Sequence, residues 1–201
     1  DLSAGERETL LARTNVLAAS IPFPLHLASR MPNLQWAEFV WAGVSDFKNS
    51  DLWNTGVRIT SGRGVVQALP IAEMVVAQAM AHAKQITIAT DQTRAGKLDG
   101  SQMELRLIAG KTMGIVGTGN VGREVARLSK ALGMRNVAWT FNPSAIRAAE
   151  LGVEFVELDA LLRQADVVSL HVRLTDDSRG MIGTRELALM KSGTLLVNGG
   201  R

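Results

Sequence analysis

The segment Gly117-Thr118-Gly119-Asn120-Val121-Gly122 has the residue types and spacing of a phosphate cradle. An apolar run of strand length, Met113-Gly114-Ile115-Val116, comes before it, and a helical pattern from Arg123 to Leu132 follows. A glycine-rich turn alone says little; set between a strand and a helix, it acquires a specific chemistry. Gly117 would permit the tight turn. Gly119 would keep a side chain clear of a pyrophosphate, and Gly122 would let the helix lie close to the sheet. The phosphates would then meet free N–H groups at the positive end of the helix dipole.

A dinucleotide site of this kind normally has an acid about 20 residues beyond the glycines, at the end of the next strand, where it holds the adenosine ribose. The strand expected over Asn136–Thr140 runs instead into Thr140-Phe141-Asn142, with no carboxylate. A 2′-phosphate would meet no repulsion at Thr140, and Arg147 is near enough in sequence to pair with it. The expectation is therefore NAD or NADP, with NADP accepted or only weakly discriminated against.

These residues need a frame to position them. Among 201 residues, 46% are hydrophobic and 20% charged, enough for a packed core in one or two domains. With four Trp, five Phe and no Tyr, the core must be filled by aliphatic side chains. Short apolar runs at Thr14–Ala19, Trp36–Trp41 and Val57–Thr60 alternate with helical or loop segments, and Ser3–Arg13 reads as a helix. That rhythm implies βα units and parallel strands. Pro70 suits a helix start, and the periodicity beyond it predicts one unbroken helix to about Thr93, stopped by Gly96. A second, cleaner series follows: strands over Thr112–Val116, Asn136–Thr140, Glu154–Val156, Asp166–His171 and Thr194–Asn198, separated by helices. The fold class is α/β, with two parallel-sheet domains of Rossmann-like or flavodoxin-like type. They are placed at 1–78 and 79–201.

Composition also narrows the partners. The net charge is +3, and basic residues alternate with acidic ones rather than clustering on a face, so no nucleic-acid role is expected. With no cysteine there is no disulfide or thiolate metal site, and no metal site is expected. The apolar run Ile71–Ala83 is interrupted by Glu73, Gln78 and His82, so no membrane span is expected, and a cytoplasmic location is.

With these features in view, the chain resembles the D-isomer-specific 2-hydroxyacid dehydrogenases, in register from about Pro32 to Arg201. The resemblance is carried by Pro32-Asn33-Leu34-Gln35-Trp36, Trp41-Ala42-Gly43-Val44 and Pro70-Ile71-Ala72-Glu73, then by Gly110-Lys111-Thr112-Met113-Gly114-Ile115-Val116-Gly117. Further on it is carried by Asp166-Val167-Val168-Ser169-Leu170-His171, Glu186-Leu187-Ala188-Leu189-Met190-Lys191-Ser192-Gly193 and Leu196-Val197-Asn198-Gly199-Gly200-Arg201. It implies two α/β domains and hydride transfer between a nicotinamide cofactor and a D-2-hydroxy or 2-keto acid. It assigns substrate binding and carbonyl polarisation to Arg201, chemistry that suits a bidentate guanidinium. It also implies substrate-carboxylate binding by the backbone at Ala42, Gly43 and Val44. Cofactor contacts carry over to Asn120, Val121, Thr140, His171, Val172, Arg173, Ser178, Gly199 and Gly200, beside the three motif glycines. Ser45 and Arg173 depart from the family's usual Asp and Pro. The resemblance also implies a homodimer, formed through the helix after Pro70 and the 96–106 arm.

The family's acid and acid–base histidine have no counterpart among these residues, and His171 is not assigned proton transfer. The chain reads as truncated at both ends, and the 201-residue polypeptide alone is expected to show no significant 2-keto acid reduction. A non-catalytic nucleotide-sensing module of the same fold is the alternative. A methyltransferase fits the element order less well.

Overall fold

The computed structural model describes residues 2–20, 25–40, 49–62 and 67–200. The chain forms two compact units, Asp1–Gly64 and Val65–Arg201. In the first, helix α1 (Ala4–Arg13) opens with a capping box: Ser3 and Glu6 satisfy each other's backbone donors. Strands β1 (Val16–Ala19), β2 (Trp36–Phe39) and β3 (Arg58–Ser61) pair in parallel in that order. Their core is Leu27, Met31, Leu34, Ala37, Phe39 and Leu52. The Asp51 carboxylate gathers the backbone N–H groups of Leu27, Ala28 and Ser29. Burial alone would raise its pKa, but those three donors outweigh burial and hold it below the ordinary value.

The second unit is a five-stranded, wholly parallel sheet: β4 (Thr112–Val116), β5 (Arg135–Trp139), β6 (Glu154–Phe155), β7 (Val167–Leu170) and β8 (Leu195–Asn198). The spatial order is β6-β5-β4-β7-β8, so the chain starts at the centre, builds outward on one side, then returns to build on the other. The crevice at such a reversal is where doubly wound sheets bind ligands, on the carboxyl edge. β4 is buried along its whole length, as a central strand covered on both faces must be. Gly114 permits this cover, since a Cβ there would lie 2.6 Å from a Leu161 methyl.

Helices α2 (Ala68–Ala83) and α4 (Asn120–Ala131) lie together over one face. There Ala72, Val75 and Ala79 share a cluster with Met113, Ile115 and Val125. The other face is packed by α6 (Leu158–Gln164) with α7 (Thr184–Leu189), around Leu161, Leu162, Val116 and Val168. Because its buried face joins this core, α2 belongs wholly to the second unit. The units therefore divide at Gly64 and Val65 rather than after residue 78.

One expected element is corrected. The helix from Pro70 does not run unbroken to Thr93: α2 ends at Ala83, and a separate α3 spans Ile86–Arg94. Between them Gln85 is left-handed, with φ 50°. The backbone N–H of Arg106 donates to the Ala83 carbonyl, the Lys84 ammonium donates to the Arg106 carbonyl, and Glu104 N–H donates to the Gln85 side chain. The returning segment thus occupies the Ala83 carbonyl, which a continuing helix would use. At the amino edge of the sheet, Asp166 accepts from Thr112 N–H and from Lys191. Burial would raise the Asp166 pKa, but these partners hold it below its ordinary value. No helix among the described residues is long and apolar enough to cross a membrane.

Candidate functional site

The glycine loop leaves β4 at the point where the strand order reverses, and each of its glycines answers to a different constraint. Gly117 has φ 96°, and a Cβ there would come within 3.0 Å of the His171 and Val172 backbone. A Cβ on Gly122 would lie 2.1 Å from the Gly117 carbonyl oxygen, so α4 can start this close to the loop only without one. Around Gly119 nothing lies within 4 Å of that position. Gly119 is also the N-cap of α4 and supplies no side-chain cap. The first turn of α4 therefore begins without a side-chain cap, at the positive end of a twelve-residue helix. Two glycines are required by the protein's own packing, and the third keeps clear a space the protein does not fill. That arrangement fits a pyrophosphate.

The exits of β5, β7 and β8 lie along the same edge. β5 runs in register with β4, Val116 opposite Trp139, and Gly117 N–H donates to the Trp139 carbonyl. Thr140, half-buried, follows directly. From the start of α5 (Ala145–Leu151), Arg147 Nη2 donates to the Thr118 carbonyl at 2.8 Å and to its hydroxyl at 3.1 Å. Asn120 is exposed at the first position of α4. Val121 packs its side chain against the α2–α4 core, which leaves only its backbone for a ligand.

At the β7 exit, the His171 ring nitrogen Nε2 is 2.6 Å from the Ser169 hydroxyl. Burial pushes its pKa down to about 4, so the imidazole is neutral near pH 7. Its Nδ1 is buried without a hydrogen-bond partner among the described residues, against Gly199, where a Cβ would come within 3.1 Å of the ring. Val172 packs against the α6–α7 core and Arg173 is exposed. The Ser178 hydroxyl donates to the Arg173 carbonyl at 2.6 Å and accepts from Thr175 N–H at 2.8 Å, so its main work is to close the 173–178 loop. At the β8 exit, Gly200 N–H donates to the Asn198 side chain. A hollow at the opposite, amino edge is lined by His82, Arg106, Lys111, Asp166 and Lys191, remote from the glycine loop.

The structure thus brings Gly117, Gly119, Asn120, Val121, Gly122, Thr140, His171, Val172, Arg173, Ser178, Gly199 and Gly200 to one edge of one sheet. Ala42, Gly43, Val44 and Arg201 lie outside the described residues. Two links went unread in the sequence: Ser169 with His171, and Thr118 with Arg147. The first had a signal, since residues two apart at a strand end share a face. The second had none, because it joins segments 29 residues apart.

Residues 76–201 match the family model described as D-isomer specific 2-hydroxyacid dehydrogenase, NAD binding domain. The chain belongs to the D-isomer specific 2-hydroxyacid dehydrogenase family. Hydroxypyruvate reductase of Thermotoga maritima is 36% identical over 146 residues, which make up 73% of this chain and 46% of that protein. Glyoxylate reductase of Aeropyrum pernix is 34% identical over 182 residues, 87% of this chain and 54% of that one. The structure of D-lactate dehydrogenase from Aquifex aeolicus, complexed with NAD and lactic acid, superposes with a TM-score of 0.81 at 27% identity. That match covers 96% of this chain and 59% of the other. This member of the dehydrogenase family spans about half the length of the curated relatives it matches.

Proposed function

We propose that this protein transfers a hydride between a nicotinamide dinucleotide and a small D-2-hydroxy or 2-keto acid. The observation that carries the reading is the glycine loop at the reversal of strand order, with Gly119 facing open space and α4 directly behind it. The names of the relatives support the substrate class: hydroxypyruvate reductase, glyoxylate reductase, and D-lactate dehydrogenase with lactic acid. When bound, the nicotinamide supplies or accepts the hydride.

The chain's own residues bind and orient. The first-turn N–H groups of α4 hold the pyrophosphate, and the backbone at His171, Val172 and Arg173 flanks the cofactor. The neutral His171 is bonded to Ser169 and packed on Gly199 beside the carboxyl edge. Arg201 pairs with the substrate carboxylate and polarises the carbonyl as negative charge develops. The family resemblance assigns backbone contacts with a substrate carboxylate to Ala42, Gly43 and Val44 as well.

A second copy of the chain is the proposed protein partner. Met74, Ile86, Ile88, Leu98, Leu105 and Leu107 are large apolar side chains left exposed along α2, α3 and the arm that follows. Work in the cytoplasm accords with a chain of no cysteine, whose stability depends on no oxidising compartment.

Sequential calorimetric titration tests the reading. A reduced nicotinamide dinucleotide should bind first, and glyoxylate or pyruvate should bind only to the resulting complex. If the acid binds equally well without the dinucleotide, or the dinucleotide does not bind, the proposal fails.

A further inference from the structure

A hollow of about 230 Å³ opens at the amino edge of the second unit's sheet, away from the glycine loop. Its floor is apolar: Ala79 and Ala83 of α2, Ile108, and Val167 of β7, all buried. Its rim is basic. Arg106 comes from the arm after α3, Lys111 from the approach to β4, and Lys191 from the loop before β8, while His82 adds an imidazole from the end of α2. The acid in the lining is Asp166.

The acids at hand do not use up this charge. Asp166 is taken by Lys191 and by Thr112 N–H. Arg106 Nη2 bonds to Glu104 at 2.8 Å, but the two side chains are 49% and 74% exposed, where such a pair is weak and readily exchanged. The Lys111 ammonium acts on Asp166 through its charge, yet it bonds to no protein group among the described residues. The loop before β8 supplies donors as well. Thr194 N–H donates to the Lys191 carbonyl, closing a turn in which Gly193 has φ 79°. A Cβ on Gly193 would come 3.3 Å from Arg106 Nη1, so the guanidinium lies against this turn. At its tip, the N–H groups of Ser192 and Gly193 meet no acceptor among the described residues.

We propose that this hollow binds a small aliphatic dicarboxylate, one carboxylate at Arg106 and the Ser192–Gly193 turn, the other at Lys111. The hydrocarbon middle then rests on the apolar floor. A guanidinium fork suits a carboxylate bidentately, and an ammonium suits one as a point charge. Over an apolar floor, these charges are less screened than in open water. A monoacid would leave one cation unmet, and inorganic phosphate has nothing to lay on the floor. An occupant would tie the arm after α3 to the loop before β8, the place of an effector rather than of a reacting substrate. The inference stands apart from the dinucleotide reading, because it uses none of the residues of the glycine loop.

The test follows backbone amide signals by NMR as the chain is titrated with succinate, butyrate and inorganic phosphate. Signals of Lys111, Ser192 and Gly193 should move with succinate. Its affinity should be at least about tenfold above that of butyrate, a gap that narrows with salt, and above that of phosphate as well. Lys111→Gln should weaken succinate about fivefold or more with the fold intact, since that ammonium bonds to no protein group among the described residues. Glu104→Gln removes the acid that competes for Arg106 and should tighten succinate about twofold or more. The proposal is overturned if these signals stay still up to about 20 mM succinate. It is equally overturned if only glycine-loop signals move, if butyrate or phosphate binds as tightly, if Lys111→Gln changes nothing, or if Glu104→Gln weakens binding.

Discussion

A Cβ at Gly122 would lie 2.1 Å from the Gly117 carbonyl oxygen, while one at Gly119 would meet nothing within 4 Å. The spacing of the motif announced both glycines, but only the coordinates separate the one the fold requires from the one a ligand would require. His171 is a second case of residue-level meaning. Its imidazole titrates near pH 4 when buried and near 6.5 in an unfolded chain. The unfolded state therefore binds the proton first. Stability is fully present above about pH 6.5 and is lost as pH falls toward about 4, at up to roughly 1.4 kcal/mol per pH unit. Urea unfolding at pH 7 and pH 5 should show a larger loss in the wild type than in His171→Gln, which can keep a bond to Ser169. Equal losses would mean that the histidine is not buried as described. The lowered carboxylates Asp51 and Asp166 add their own loss at lower pH, and do so equally in both proteins.

At the scale of elements, the alternation of short apolar runs with helical segments was enough to place the eight strands of the described residues, because that signal is local. The break at Gln85 was not legible. It depends on Arg106 reaching the Ala83 carbonyl, a contact between residues 23 apart that no window of periodicity contains. The tether between α4 and β5 was equally hidden. Ser129 Oγ donates to the Asn136 side-chain oxygen Oδ1 at 2.8 Å, and Asn136 Nδ2 donates to the Ala126 backbone carbonyl at 2.7 Å, all within the core. Asn136 reads in sequence as a polar interruption of a strand. In the structure it fixes how the helix behind the glycine loop sits on the sheet. Asn136→Ala should destabilise the protein by about 1–3 kcal/mol, since it leaves buried groups unpaired. A change of a few tenths in equilibrium unfolding would show the network to be incidental.

For the whole molecule, the glycine-loop site was more legible than the rest of the proposed catalytic centre. The glycines and strand ends are contiguous in sequence or fall at the ends of periodic segments. The roles of Ala42, Gly43, Val44 and Arg201 rest on family resemblance, and those residues lie outside the described ones. The exposed apolar run along α3 and the 98–107 arm, where Leu107 is 72% exposed, is the feature that calls for a second copy. Sedimentation equilibrium should show a dimer at micromolar concentration, and a Leu105→Glu, Leu107→Glu double variant should shift it to monomer. A wild type that remains monomeric throughout would remove the dimer from the proposal.

The claim on which the rest depends is that the open space at Gly119 belongs to a dinucleotide. Gly119→Ala places a methyl group there without touching any protein atom within 4 Å. Titration of NADPH and NADH should find affinity reduced by about tenfold or more. The loss in unfolding free energy should be no more than about 1 kcal/mol, the cost of a poorer N-cap. Gly122→Ala should do the reverse to stability, costing about 1–3 kcal/mol through overpacking. Undiminished dinucleotide affinity in a folded Gly119→Ala protein would contradict the assignment of the site.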